Sequence, residues 1–255
     1  MSESTLYSAR FQDQAAVAAY ESKEYAAASY ASLVWQWQRP VVEQIIKDHR
    51  LRKNAPVRLL DFACGTGRVL ASVESLVDAA EGIDISENMV ALARAKCRKA
   101  QFKVGDILSQ PGLLQRDYDI ITAFRFLLNV EPAVRRSVLR KLRMVAREPD
   151  CLLLVNIHGN SRSLRHPALL WRRWRERSRP TDAMLNEMSP DEARSLLHEC
   201  GFQVVQQFGF GLLPPTFYRT PLRSLAAKAD QMVAGDNLWR DYAIDLMFVC
   251  RPFQI

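Results

Sequence analysis

Residues 56–70 read PVRLLDFACGTGRVL, an apolar run that ends in an acidic residue and continues through a glycine-rich turn into a helical pattern. Residues 57–60 are rich in strand formers, so the run predicts a short buried strand followed by a helix. Gly65 and Gly67 carry no side chain, which lets the backbone bend sharply and lets a ligand approach the main chain. Open α/β sheets bind ligands at the carboxyl ends of their strands, so Asp61 is the first candidate binding residue.

The spacing of the glycines separates this turn from a dinucleotide site. A dinucleotide fingerprint has a third glycine or alanine three positions after the second, and here that position is Leu70. Asp61 would also repel a pyrophosphate, whereas its carboxylate suits a ligand that carries an ammonium group and a sulfonium. The turn therefore favours S-adenosylmethionine over NAD. A glycine-rich turn that binds no ligand is the alternative.

Three more predicted strands follow, and each contributes a group that suits the same ligand. The second strand, residues 79–85, contains Asp84, twenty-three residues after the first acid, and an acid at about this spacing binds a ribose diol. The alternative for this residue is an aspartate in a capped turn. The third strand, residues 101–107, contains Asp106, whose carboxylate can accept a hydrogen bond from an adenine amino group. The fourth strand, residues 118–127, would end near the reacting methyl group.

Four motifs thus stand in order along the chain: DFACGTG at 61–67, GIDIS at 82–86, VGDIL at 104–108 and YDIITA at 118–123. In this combination the chain resembles the class I S-adenosylmethionine-dependent methyltransferases, over residues 33–255. The resemblance implies an α/β fold with a seven-stranded Rossmann-like sheet, mostly parallel with its last strand antiparallel at the edge. It also implies helices on both faces, a helical cap formed by insertions, and S-adenosyl-L-methionine as the cofactor.

The same resemblance assigns contacts by position. The glycine loop would wrap the methionine moiety, Asp84 would bind the ribose hydroxyls and Asp106 would hold the adenine. Ala63 departs from the pattern, because many members carry glycine there, but this replacement is small for small. The expected cofactor-binding residues are Asp61, Phe62, Ala63, Gly65, Gly67, Asp84, Ile85, Met89, Asp106, Ile107, Phe124 and Arg125. The expected acceptor-site residues are Tyr20, Tyr25, Phe126, Phe217 and Tyr218.

His158 is the candidate catalytic residue, because it follows the fifth predicted strand, residues 151–157, and can reach the acceptor pocket. Its ordinary pKa suits a general base near neutral pH. Methyl transfer mainly requires alignment, which can supply ~7–11 kcal/mol, whereas a base adds ~10²–10⁴-fold for a hydroxyl acceptor. The alternative is a histidine that fixes its loop through a hydrogen bond.

Helical patterns separate the predicted strands. They cover residues 33–51, 131–145 and 222–233, and Ser86 and Ser189 predict the N-caps of two more helices. The remaining predicted strands are residues 202–210 and 241–250.

Length and composition suit one α/β domain, residues 1–255. Its predicted parts are an amino-terminal helical segment (1–52), a cofactor-binding core (53–160) and two cap insertions (158–189 and 211–240). The sequence has no eighteen-residue apolar run and no signal-peptide pattern at its amino terminus. Its five scattered cysteines predict reduced thiols and a cytoplasmic protein, and its four dispersed histidines predict no metal site.

The most basic stretch is residues 162–179, with seven arginines and one acid in a chain of net charge +7. By resemblance it would form a lid over the acceptor pocket. Its arginines and interleaved tryptophans would attract an anionic or amphiphilic acceptor, bind nucleic-acid phosphates, or contact a membrane surface peripherally. A solvated helix face is the alternative.

Three functions remain. The sequence favours an enzyme that methylates an oxygen or nitrogen of a small-molecule acceptor. A nucleic-acid methyltransferase acting on RNA is disfavoured, because residues 123–126 read AFRF in place of an Asn/Asp-Pro-Pro-aromatic tetrapeptide and the basic charge is local. A non-catalytic S-adenosylmethionine-binding protein is the third, since binding and turnover are different demands.

Overall fold

Seven strands form one mixed sheet in the computed structural model, which describes residues 29–110, 112–163, 165–166, 187–213, 217, 223–233 and 239–254. The strands are β1 (Arg58–Phe62), β2 (Ala79–Asp84), β3 (Gln101–Val104), β4 (Ile120–Ala123), β5 (Leu152–Ile157), β6 (Phe202–Phe210) and β7 (Asp245–Pro252). Their order across the sheet is β3-β2-β1-β4-β5-β7-β6. Strands β1 to β5 pair in parallel, and β7 is antiparallel to both of its neighbours.

The predicted seven-stranded Rossmann-like sheet with an antiparallel last strand is confirmed, but the prediction that β7 lies at the edge is wrong. β7 lies between β5 and β6, and β6 forms the edge. The sequences of the two strands explain the order. β7 is apolar along most of its length and is buried on both faces, as a central strand must be. β6 exposes residues such as Gln203 and Gln206, which an edge strand tolerates.

Helices cover both faces of the sheet. Those within the described residues are α1 (Tyr30–Lys53), α2 (Arg68–Val73), α3 (Glu87–Lys96), α4 (Pro132–Val145), α5 (Pro190–Glu199) and α6 (Arg223–Val233). Helices α1 and α2 pack on one face of the sheet, which we call the α1 face. The apolar core between them and the sheet includes Ile46 and Leu70. Helices α4 and α5 pack on the opposite face, where Leu139 and Leu197 are fully buried.

Local sequence chemistry explains where these helices begin. The side chain of Ser86 accepts a hydrogen bond from the Met89 N–H at 3.3 Å, so Ser86 is the N-cap of α3, as predicted. Ser189 and Glu192 form a reciprocal capping box at the start of α5. Helix α4 begins with Pro132 in its first turn and buries a stripe that includes Leu142.

Three strands depart by several residues from their predicted ranges. β3 ends at Val104, before Gly105, which has a φ of 153°. β4 ends at Ala123 because Arg125 adopts a left-handed conformation with a φ of 56°, and a 3₁₀ turn follows at Leu127–Asn129. β7 begins at Asp245, later than predicted, because a 3₁₀ turn at Arg240–Tyr242 precedes it.

Several predicted features lie outside the described residues: Tyr20, Tyr25, Tyr218 and most of residues 162–179. No helix in the portion of the chain that the structure describes is long and apolar enough to cross a membrane.

Candidate functional site

The turn between β1 and α2 depends on left-handed backbone conformations. Ala63, Gly65 and Gly67 have φ values of 54°, 53° and 77°, a region that residues with a side chain rarely adopt. A Cβ on Gly67 would lie 2.9 Å from the Cβ of Ala93, so this glycine lets the turn pack against α3. A Cβ on Gly65 would meet no described atom within 4 Å. The backbone is therefore open beside Gly65, where a ligand can approach it.

Asp61 lies at the carboxyl end of β1, on the α1 face, with only 1% of its surface exposed. Its Oδ1 accepts a hydrogen bond of 2.6 Å from the Thr122 hydroxyl of β4, the residue directly opposite it in the parallel register. Its Oδ2 is buried and has no hydrogen-bond partner among the described residues. Burial raises the pKa of the carboxyl to about 7, although Thr122 and the Arg68 guanidinium favour the charged form. Asp61 thus presents one unsatisfied oxygen, which a cationic group would satisfy.

Asp84, at the end of β2, holds the glycine loop in place. Its Oδ2 accepts the Gly65 N–H at 2.8 Å and its Oδ1 accepts the Ser86 N–H at 2.9 Å. Burial raises the pKa of the carboxyl, and these backbone donors oppose the rise. Each carboxylate oxygen has a second lone pair, so two hydroxyl groups could still donate to Asp84.

The predicted adenine contacts follow the carboxyl ends of β2 and β3. Ile85 exposes 44% of its surface, Met89 is buried in the first turn of α3, and Ile107 is buried after β3. The Oδ1 of Asp106 accepts the Leu108 N–H at 2.9 Å, and the residue is half-buried. Ile85 follows β2 and Asp106 follows β3, and these two strands are neighbours in the sheet. An exposed isoleucine suits the face of a planar ring, and a half-buried carboxylate can accept from its amine.

The turn after β4 is fixed by polar contacts and by ring packing. The N–H of Arg125, the left-handed residue, donates to the Oδ1 of Asn156 on β5. Phe124 contacts Trp35 of α1 edge to face, with ring centroids 5.8 Å apart. On the opposite face, Phe126 makes the same kind of contact with Phe62 at 5.0 Å. The structure therefore brings Phe124 to the side of Asp61 and turns Phe62 and Phe126 into the other core.

His158 follows β5 and is half-buried, and its buried Nδ1 has no hydrogen-bond partner among the described residues. Burial, followed by the nearby Arg125 guanidinium, holds the pKa of the imidazole well below its ordinary value. The ring is therefore neutral at pH 7. It can accept a hydrogen bond, but an imidazolium beside Arg125 is disfavoured.

Sequence reasoning missed several polar residues near these strand ends. They are Thr122 and Asn156, described above, and the buried groups of Tyr30, Asp230 and Asp245. Asp245 was the only one with a visible signal, as an acid that starts an otherwise apolar strand, DLMFVC.

Alternation along each strand places Asp61, Thr122 and Asn156 on the α1 face, since their neighbours Leu60, Ile121 and Val155 point into the opposite core.

The structure describes only some of the predicted acceptor-site residues. Phe217 is described and exposes 42% of its surface, and the two amino-terminal tyrosines and Tyr218 fall outside the description. In the described part of the chain, no cluster of three histidine, cysteine, aspartate or glutamate side chains could hold a metal ion.

The chain matches the family model described as "Methyltransferase domain" over residues 34–207, which is more than half of its length. It belongs to this family, and with it to the class I S-adenosylmethionine-dependent methyltransferases. The residues at the strand ends fit the cofactor of that family. The unsatisfied Asp61 Oδ2 suits an ammonium group, and the open backbone edge at Gly65 leaves space beside it.

Solved structures and curated relatives agree with this family. The magnesium protoporphyrin IX methyltransferase of Synechocystis PCC 6803, crystallised with bound SAH, superposes with a TM-score of 0.56 at 14% identity, covering 86% of this chain and 85% of that one. A methyltransferase of Thermotoga maritima, titled a possible histamine N-methyltransferase, gives a TM-score of 0.55 at 12% identity, covering 85% and 92%. At these identities the likeness concerns the fold.

By sequence, the chain is 30% identical over 124 residues to the demethylmenaquinone methyltransferase of Thermotoga maritima, covering 48% of this chain and 50% of that protein. A putative methyltransferase from Geobacillus is 31% identical over 107 residues, covering 40% of this chain and 42% of its own length. The chain thus spans about half the length of the curated relatives that it matches.

Proposed function

We propose that this chain transfers a methyl group from S-adenosylmethionine to an oxygen or nitrogen of a small-molecule acceptor. The observation that carries the proposal is the Asp61 carboxylate, buried beside the open glycine loop with one oxygen unsatisfied within the described chain. A buried carboxylate oxygen without a partner is costly, and a ligand group that donates to it removes that cost. In a member of this family, the ammonium group of the cofactor is the natural partner.

We assign one residue at the strand ends to each part of the cofactor. Asp61 would hold the ammonium group and Asp84 the ribose hydroxyls, while the Gly65 N–H stays fixed to Asp84. Asp106 would accept from the adenine amino group, with Ile85 against the ring. Met89 lies in the first turn of α3, and the other predicted contacts lie at the carboxyl ends of strands or on the loops that follow them: Phe62, Ala63, Gly67, Ile107, Phe124 and Arg125.

S-adenosylmethionine, when bound, supplies a methyl group that its sulfonium already activates. The protein's own task is therefore to align the acceptor and to exclude water, and alignment can contribute ~7–11 kcal/mol. The turn at Phe124 is suited to this task because Trp35 packs against it and Asn156 fixes the backbone of Arg125. His158, which follows the neighbouring strand β5, is the predicted acceptor-side residue.

Two observations support a small-molecule acceptor. The relatives that the sequence matches include demethylmenaquinone methyltransferases, whose name denotes a small-molecule substrate. The seven arginines of residues 162–179 further support an anionic or amphiphilic acceptor, with peripheral membrane contact through the same segment as a related proposal.

The test begins with calorimetric titration of S-adenosylmethionine, its demethylated product (SAH) and NAD. We expect both sulfur ligands to bind and NAD not to bind. Transfer of tritiated methyl groups is then measured for a defined panel: a quinol, a phenol, a primary amine, a carboxylic acid and bulk tRNA. Turnover of a small molecule supports the proposal.

The same experiment decides the other two functions. Methylation of tRNA alone would establish the RNA methyltransferase that the basic net charge suggests. Tight binding of both sulfur ligands with no methyl transfer to any acceptor would indicate a non-catalytic binding protein. If neither sulfur ligand binds, the cofactor assignment itself is wrong.

A further inference from the structure

A second buried carboxylate lies beside the proposed acceptor site. Asp245 is the first residue of β7, opposite Phe210 at the end of β6, and only 5% of its surface is exposed. It lies two residues before Met247, which packs into the core under α1, so strand alternation places Asp245 on the α1 face as well. This is the face that carries Asp61 and Thr122.

Asp245 and His158 both lie next to the end of one strand ladder. The antiparallel ladder of β5 and β7 ends with the pair Ile157 and Leu246, and His158 and Asp245 are the residues that adjoin this pair. Ile157 and Leu246 point into the opposite core, so alternation places both His158 and Asp245 on the α1 face. The chains stay close beyond this pair, because the Asn160 N–H donates to the Ile244 carbonyl at 3.2 Å.

The Asp245 carboxylate is surrounded by charges but is bound by none of them. Within the described residues it accepts no side-chain hydrogen bond and makes no ion pair. The groups that face it electrostatically come from four separate segments of the chain: Arg68 of α2, Arg125 after β4, Arg165 after β5 and Tyr30 of α1. Asp230 of α6 faces Tyr30 as well. A buried carboxylate that makes no side-chain hydrogen bond and no ion pair among the described residues is in position to contact a ligand.

We propose that Asp245 contacts the acceptor and removes the proton from its reacting oxygen or nitrogen, while His158 accepts a hydrogen bond from the acceptor as a neutral ring. This inference rests on the proposed function. The proton moves from the acceptor heteroatom to the Asp245 carboxylate, and the lone pair of that heteroatom forms the new bond to the methyl carbon. The bond between that carbon and the sulfonium sulfur breaks, and its electron pair stays on sulfur, which becomes a neutral thioether.

Charge explains why the proton would go to Asp245 and not to His158. Protonating His158 creates a second cation beside Arg125, whereas protonating Asp245 removes a buried charge. Burial raises the pKa of Asp245 to about 7, with Arg125, Arg68 and Arg165 opposing the rise. A general base works best when its pKa lies near the working pH.

The first arm of the test needs no acceptor. Carboxyl ¹³C NMR on aspartate-labelled protein, saturated with SAH, is recorded across pH, and Asp245→Asn assigns the signal. We expect the Asp245 carboxyl to titrate near neutral pH. A carboxyl that titrates in the ordinary aspartate range overturns the proposal, whatever the kinetics show.

The second arm measures methyl transfer to the acceptor with the highest turnover in the panel. We expect Asp245→Asn to lower kcat by ~10²–10⁴-fold and to abolish the rise of kcat with pH. SAH affinity should be unchanged, which shows that the variant is folded. His158→Gln should lose about tenfold and keep the pH profile, as the loss of one hydrogen bond would.

Asp230→Asn is the matched control. Asp230 is also buried and lies at the same end of the sheet; its Oδ1 accepts the Leu212 N–H at 2.7 Å, and its Oδ2 has no partner among the described residues. It should keep the wild-type pH profile. If Asp245→Asn keeps that profile and His158→Gln loses it, His158 is the base and only this inference fails. If no acceptor is methylated although SAH binds, the proposed function fails and the base role fails with it.

Discussion

Replacing Asp61 by asparagine tests the central feature of the site, because it removes the buried charge and keeps the size of the side chain. Asparagine can still accept the 2.6 Å hydrogen bond from Thr122 through its carbonyl oxygen. In the free protein, burial raises the pKa of Asp61 from 3.8 to about 7, a difference that corresponds to about 4 kcal/mol.

The sign of the pH dependence follows from that pKa. The folded state holds the proton more tightly than the unfolded state, so the stability from Asp61 is full below its unfolded pKa and is lost as pH rises through about 7. The asparagine variant does not titrate. We therefore expect its stability relative to wild type to increase by about 2–3 kcal/mol between pH 5 and pH 8.

Cofactor binding should respond in the opposite direction. An ammonium group prefers ionised Asp61, so the affinity of the wild-type protein for SAH should fall by up to tenfold for each pH unit below about 7. The variant should bind SAH more weakly at pH 8, by ~1–3 kcal/mol, and with little pH dependence.

Urea denaturation and calorimetric titration at both pH values measure these effects. Asp150→Asn, at an exposed position, is the control and should change neither quantity. Equal stability differences at both pH values would refute the assignment of a buried, raised pKa to Asp61. Unchanged SAH affinity in the Asp61 variant would refute its contact with the ammonium group.

Two further predictions concern the loops of the site, and a third concerns a contact at the amino end of β3. Asp84→Ala should weaken SAH binding by ~1–3 kcal/mol, because the ribose contact is lost and the Gly65 N–H loses its acceptor; calorimetry that shows no change contradicts the ribose assignment. Gly67→Ala should lower the free energy of unfolding by at least ~1 kcal/mol, because its φ is 77° and its Cβ would lie 2.9 Å from the Cβ of Ala93 in α3. An unchanged free energy of unfolding in urea denaturation would contradict this geometry. The pKa of Glu74 is lowered, because its carboxylate accepts the three N–H groups of residues 98–100. Glu74 should therefore stabilise the fold above its unfolded pKa and lose that contribution as pH falls through its folded pKa. Glu74→Gln should lower the free energy of unfolding at neutral pH, and in acid its free energy of unfolding should approach that of wild type.

The parts of the site that could be predicted are those whose chemistry is local in the sequence. Gly65 and Gly67 mark a backbone that must turn, and the left-handed φ values show why glycine stands there. Ser86 marks a helix start through a bond to an N–H three residues away. Asp61 and Asp84 occur at strand ends because apolar runs stop there, and hydrophobic patterning reveals such stops.

The parts that could not be predicted depend on which strands become neighbours. Thr122 contacts Asp61 only because β4 pairs with β1 in one particular register. Asp245 lies at the same end of the sheet as His158 only because β7 inserts between β5 and β6, the point at which the predicted edge position was wrong. A one-residue shift of either register would send these side chains to the other face of the sheet. No pattern within a single strand contains that information.

Arg68 faces both buried carboxylates of the α1 face. Its guanidinium lies 5.0 Å from the centre of the Trp35 ring and opposes the rise in pKa of both Asp61 and Asp245. Arg125 and Arg165 oppose the rise at Asp245 as well. The pKa of each carboxyl is nevertheless raised to about 7, so burial outweighs the nearby positive charge at both positions. A cationic group that contacts Asp61 directly would supply the compensation that these more distant guanidinium groups do not, which is why the affinity for SAH should depend on the ionised form of Asp61.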